Sequence, residues 1–169
     1  MLARHAVSVG FASALLGLSS GVFAQTFNGS VNGEPRTWHV LTQGQQSTVS
    51  LSEDGDGVTM VVIQGHAQPS YLIKGTITIN AALKNGQLMG EPDVLYFPQT
   101  SMASVYSSVA QQPGKFNIKV DNQTPNGAQL VGSYKGNLYR TPGIGQKPDL
   151  NDKIEVSVSF DVPALKMKR

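Results

Sequence analysis

The sequence predicts an all-β fold: a single antiparallel β-sandwich of about nine to ten strands, with a β-barrel as the alternative. Three observations carry this. Apolar and polar residues alternate with period two over long stretches, which places one strand face in a core and the other in water. Gly, Asn, Asp and Pro turn signals divide these stretches at regular spacing. The composition is also poor in charge and rich in glycine, with 14% charged residues and 18 Gly among 169. An average chain has roughly 25% charged residues and about 7% Gly, so a coiled coil or a charged helical repeat is excluded.

Taken in order, residues 1–24 read as a secretory signal peptide. Arg4 and His5 give a short basic start, residues 6–18 an apolar run, and Val22 and Ala24 the small residues of a cleavage site before Gln25. The run is shorter than the ~20 apolar residues a membrane span needs. No integral membrane segment is expected after cleavage, and the β domain, residues 25–169, is expected in a periplasm or outside the cell. Losing Arg4 lowers the formal charge from +2 to +1, too little and too evenly spread for a nucleic-acid footprint. With no cysteine, disulfides, thiolate metal sites and a Cys nucleophile are excluded.

Within the domain, Asn32-Gly33-Glu34-Pro35 predicts a first hairpin and Asp54-Gly55-Asp56-Gly57 a second. Val58 to Ile63 is apolar at nearly every position, which predicts a central strand buried on both faces. Tyr71, Ile73, Ile77 and Ile79 share one face of a long strand, with Lys74, Thr76 and Thr78 opposite. Asn85-Gly86 and Asn126-Gly127 have the composition of tight hairpin turns, because positive φ is cheap there. Met102, Val105, Tyr106 and Val109 fit a short amphipathic helix, but the Ser- and Val-rich surroundings favour an irregular edge strand over 101–109. Pro113-Gly114 opens a strand over Lys115–Asp121, and Lys153–Val162 is the last strand. Gly75, Gly132 and Gly136 lie inside strand patterns and are read as bends or bulges. Arg140 to Asp152, with two Pro and two Gly, is read as the longest loop. Lys166-Met167-Lys168-Arg169 is read as a frayed, solvated tail.

Few residues offer chemistry. Asp54-Gly55-Asp56-Gly57 superficially suits calcium, but no further acid follows to complete six to eight oxygens. His39 and His66 are the only histidines of the domain, and catalytic zinc usually takes three protein ligands. Residues 25–169 contain no G-x-S-x-G nucleophile elbow. Glu91/Asp93 and Asp149/Asp152/Glu155 are near-pairs of a kind any β protein contains, whereas glycoside hydrolysis needs a specific separation in a cleft. No catalytic residue, metal or cofactor is assigned. The candidate binding residues are Trp38 and His39 on the first hairpin, His66 at a strand end, and Tyr139 and Arg140 at the mouth of the long loop, since Tyr and Trp can stack flat ligands.

Val31-Asn32-Gly33-Glu34-Pro35-Arg36-Thr37-Trp38 resembles the opening hairpin of small exported bacterial β-sandwich proteins of unknown function. Leu130 to Tyr139 is similar to their penultimate strand and Ile154 to Val162 to their last. The resemblance implies an exported β-sandwich and assigns no catalytic residue. Missing catalytic constellations, together with a β-scaffold carrying one long Pro/Gly loop, point to a non-enzymatic exported protein that binds a small molecule or an envelope protein. Two alternatives stay open: a hydrolase with a dispersed site around His39 or His66, and a structural subunit assembling through sheet edges, with Ser101–Val109 as the candidate edge.

Overall fold

A computed structural model describes residues 25–101, 104–143 and 146–167. The expected signal peptide, Met102 and Ala103 of the expected edge strand, part of the expected long loop, and Lys168-Arg169 of the expected tail lie outside the described residues. The all-β class is borne out. The described residues form β1 (Thr26–Val31), β2 (Glu34–Thr37), β3 (Thr42–Gln43), β4 (Gln46–Ser47), β5 (Val49–Glu53), β6 (Val58–Gly65) and β7 (Ile77–Lys84). There follow β8 (Gln87–Leu88), β9 (Asp93–Tyr96), β10 (Val105–Ser107), β11 (Lys115–Thr124), β12 (Gly127–Thr141) and β13 (Asp149–Lys166). Among the described residues, no helix is long and apolar enough to cross a membrane.

The turns follow from residue chemistry. Asn32-Gly33 and Asn85-Gly86 each join two strands with both residues at positive φ (50° and 79°, 53° and 76°), the backbone twist that two-residue hairpins require. In the β5–β6 turn, Asp54 Oδ1 accepts the amides of Asp56 (3.0 Å) and Val58 (2.9 Å). That carboxylate caps a turn.

The strands run β2-β1-β13-β12-β11 in one layer and β5-β6-β7-β9-β10 in the other. Two junctions join the layers. The end of β13 pairs in parallel with β5, Leu165 opposite Ser50, and the end of β12 pairs with β10, Thr141 opposite Val105. Because β12 and β13 are antiparallel to each other, the junctions lie at opposite ends of this long hairpin. The pairing closes through β12-β10-β9-β7-β6-β5-β13, giving a sandwich joined at two corners into a barrel-like ring. A single core fills it. Ile154, Val156, Val158, Phe160 and Val162 of β13 face inward with Leu130, Tyr134 and Leu138 of β12, against Val61, Ile63, Ile77, Ile79 and Val94. Burial of each such aliphatic side chain contributes about 1.5–3 kcal/mol.

Several local expectations are corrected. β6 is central but not buried on both faces: Met60 and Val62 are 39% and 38% exposed, because the core lies on one side of the sheet only. The long strand expected from Tyr71 begins at Ile77. Residues before it form a loop, since Gly75 has φ +78° and reverses the chain. Gly132 and Gly136 hold regular register. The irregularities fall between Asp121 and Thr124 and between Tyr139 and Arg140. The glycines admit neighbours instead, Phe160 over Gly132 and the Tyr134 ring over Gly136. In the β11–β12 hairpin Thr124 pairs with Gly127, so Pro125-Asn126 makes the turn; Gly127 lies in β12, where a Cβ would strike the Ala164 carbonyl. Val105–Ser107 is a strand, but β9 and β12 flank it, so it is not an edge. Pairing of Arg140 with Asp149 shortens the expected Arg140–Asp152 loop to residues 142–148. Lys166 is not frayed: its ammonium meets Glu53 at 2.9 Å, and the Met167 amide donates to the Leu51 carbonyl at 2.7 Å.

Candidate functional site

The residues singled out by sequence divide into two groups, one around the His39–His66 bridge and one at the end of β12. His39 and His66 form an isolated antiparallel bridge between the chain after β2 and the chain after β6. Each amide donates to the other's carbonyl, at 2.8 and 2.9 Å. Trp38 is buried, its ring tilted against Phe27 at 5.6 Å between centroids. Its indole N–H donates to the Gly75 carbonyl at 2.9 Å. Trp38 is therefore a strut between the first hairpin and the loop over 67–75, and its stacking face is spent on the core.

That loop covers His66. The ring is 3% exposed, with Tyr71 edge-on at 5.7 Å. Nδ1 lies 3.2 Å from the Leu72 carbonyl and 3.3 Å from Thr76 Oγ1. Thr76 in turn donates to the same carbonyl at 3.0 Å. A carbonyl only accepts, so the arrangement is best satisfied with the proton on Nδ1 and a lone pair on Nε2. Nε2 is enclosed and has no hydrogen-bond partner among the described residues. His66 is therefore committed to holding the loop. Neither a carboxylate nor a serine is among its hydrogen-bond partners, so the geometry a histidine base needs is not assembled here. His39 is exposed on the outer surface, beside a hollow of about 390 Å³ near Thr26 and Asn28.

Tyr139 and Arg140 do not join this group, because β7, β9 and β10 lie between β6 and β12. Being neighbours in a strand, they also point to opposite faces. Tyr139 is fully buried and donates to Gln112 Oε1. Arg140 is exposed and meets Asp152 at 3.3 Å, while Tyr106 donates to the other oxygen of Asp152 at 2.9 Å. Burial, and then Asp152 itself, raises the Tyr106 pKa above the ordinary tyrosine value, which keeps this donor protonated.

The concavity beside the first group is a groove of about 560 Å³. One wall is β2 with Pro35, Arg36 and Thr37; the other is the loop, with Ala67, Gln68, Lys74 and Gly75; Tyr96 and Pro98 close it. Two cations converge on it. Arg36 is shared with Glu34 at 2.6 Å. Lys74 is exposed and makes no ion pair among the described residues. Sequence reading misses Thr76, because it takes 71–79 as one strand and sets Thr76 opposite Tyr71; it misses Arg36 and Lys74 as lone surface cations. Gly75 together with Pro69-Ser70 was the local sign of a loop. Among the described residues, no group of three or more His, Asp or Glu is placed to hold a metal ion. The chain matches no family model, no curated protein and no solved structure.

Proposed function

We propose that this chain is an exported, non-enzymatic binding domain that takes an anionic ligand in the groove between β2 and the 67–75 loop. The ligand class is a carboxylate or phosphate group, carried by a small molecule or by an acidic segment of an envelope protein. The observation that carries the reading is the convergence of Arg36 and Lys74 on the roughly 560 Å³ groove. A guanidinium offers a planar fork to an oxyanion and an ammonium offers a point charge, so the pair suits such a group. Polar groups at a pocket's edge fix orientation while its shape admits the ligand. The loop wall is pre-organised by Trp38, His66 and Thr76, which reduces the entropy lost on binding. Export is supported by the signal-like residues 1–24.

Native mass spectrometry of the chain purified from the exported fraction tests this. The expected spectrum carries an anionic adduct that disappears in the double variant Arg36→Ala/Lys74→Ala. An adduct retained by that variant overturns the assignment to the groove. A bare mass that stays bare on titration with dicarboxylates, phosphate and acidic peptides overturns the function.

A further inference from the structure

We propose that the free edge of β11 docks a second copy of this chain, the two β11 strands pairing antiparallel about a two-fold axis through Ile118. β11 is hydrogen-bonded on one side only, to β12. From Lys115 to Asp121 its ladder is regular, so the other side presents a straight row of unpaired backbone groups, a ready template for another strand. The other edges among the described residues are blunted: β2 has four residues, Pro35 among them, and β3, β4 and β8 have two each. β11 has neither device. Its core-side residues Phe116, Ile118 and Val120 pack against the core yet stay only partly buried. A crevice of about 230 Å³ beside Ile118 and Val120 separates them from Leu51 and Leu83 of the other layer.

The sequence of the edge selects its occupant. In a regular antiparallel ladder, opposed residues lie on the same face, so two copies of β11 pair about a residue, never between two. Pairing about Asn117 sets Lys115 against Lys119, and pairing about Lys119 sets that lysine against its own copy. Pairing about Ile118 sets Lys115 opposite Asp121, Phe116 opposite Val120 and Ile118 opposite itself. Each unlike pair occurs twice, as an isologous interface requires. This register also spans the whole regular run. It stops at Pro113-Gly114 on one side and at the irregularity after Asp121 on the other, where Asn122 has φ 48°. Opposite charges facing each other across strands stabilise, like charges destabilise, and aromatic–β-branched pairs add to the first effect. The surface is separate from the groove, so either proposal can fail alone.

The experiment is sedimentation velocity on the full-length secreted chain and two single variants, Lys115→Asp and Asp121→Lys, each checked for an unchanged far-ultraviolet spectrum. The wild type is expected as a concentration-dependent dimer. Each variant alone sets like charges opposite each other twice per dimer and is expected to dimerise about tenfold more weakly. An equimolar mixture of the two variants restores both attractive pairs and is expected to recover wild-type association. A monomeric wild type overturns the proposal. So does a dimer insensitive to either substitution, or a mixture that associates no better than its components.

Discussion

His39 and His66 exchange both backbone hydrogen bonds, at 2.8 and 2.9 Å, yet one imidazole is exposed and the other is 3% exposed. Opposed residues of an antiparallel bridge share a face, so the difference comes from what lies over that face. The 67–75 loop folds across His66 and leaves His39 open. The same loop forms one wall of the cationic groove, which links its anchorage to binding.

Thr76→Val tests the anchorage. Valine keeps the shape and removes the hydroxyl that donates to Leu72 and meets His66. A buried hydrogen bond of this kind contributes about 1 kcal/mol. Denaturant unfolding should show a loss of that size, and hydrogen exchange at the Gly75 amide, which is bonded to the Phe97 carbonyl, should accelerate. Unchanged exchange would mean that the hydroxyl does not hold the loop.

Trp38→Phe separates the indole's hydrogen bond from its packing. The aromatic contact with Phe27 persists in kind, whereas the bond to the Gly75 carbonyl is lost. We expect a cost of about 1–2 kcal/mol together with weaker anion binding, because Gly75 is part of the groove wall. A stability loss with full binding would confine Trp38 to the core.

Tyr134 gives a pH dependence. Its phenol is enclosed without a partner among the described residues, and its pKa is pushed up to about 12, first by burial, then by the negative charge of Glu91 and by Tyr139. An acid whose neutral form the fold prefers stabilises below its unfolded pKa, ordinarily near 10.0, and that stability is lost as pH rises from there towards the folded value. Unfolding free energy should therefore fall between about pH 10 and 12. Tyr134→Phe should flatten this fall and, by removing an unpaired buried hydroxyl, add about 1 kcal/mol at neutral pH. A variant with an undiminished alkaline slope would assign the titration elsewhere.

Gly127→Ala addresses the long hairpin. The added methyl would meet the Ala164 carbonyl of β13, and a backbone atom in a continuous ladder cannot turn aside as a flexible side chain can. We expect a cost of about 2 kcal/mol or more, read as a lower unfolding midpoint. A neutral substitution would show that β12 and β13 separate easily at this end.

The all-β class, the Asn-Gly turns at 32–33 and 85–86, and the strands over Lys115–Asp121 and Lys153–Val162 were legible because period and turn chemistry act within a few residues. The sequence misled where long-range pairing decides. Met60 and Val62 look like core residues, but their outward face depends on which sheet side carries the second layer. Gly127 looks like a turn glycine, and only the approach of Ala164 explains it. The candidate site was half legible. Trp38, His39 and His66 were found and do meet, but as a scaffold. Arg36 and Lys74 were missed, because lone surface cations carry no local pattern until a loop brings them together. Tyr139 and Arg140 were joined in the sequence reading by adjacency alone, and strand geometry sets them on opposite faces.

The most direct measurement is a heteronuclear NMR titration of the isotope-labelled chain with small dicarboxylates and phosphate, repeated on Arg36→Ala/Lys74→Ala. Saturable, salt-sensitive shifts are expected at Thr37, Gln68, Lys74 and Gly75, vanishing in the double variant. Shifts confined to the hollow beside His39, or no saturable shift at the groove, would overturn the assignment of anion binding to the groove.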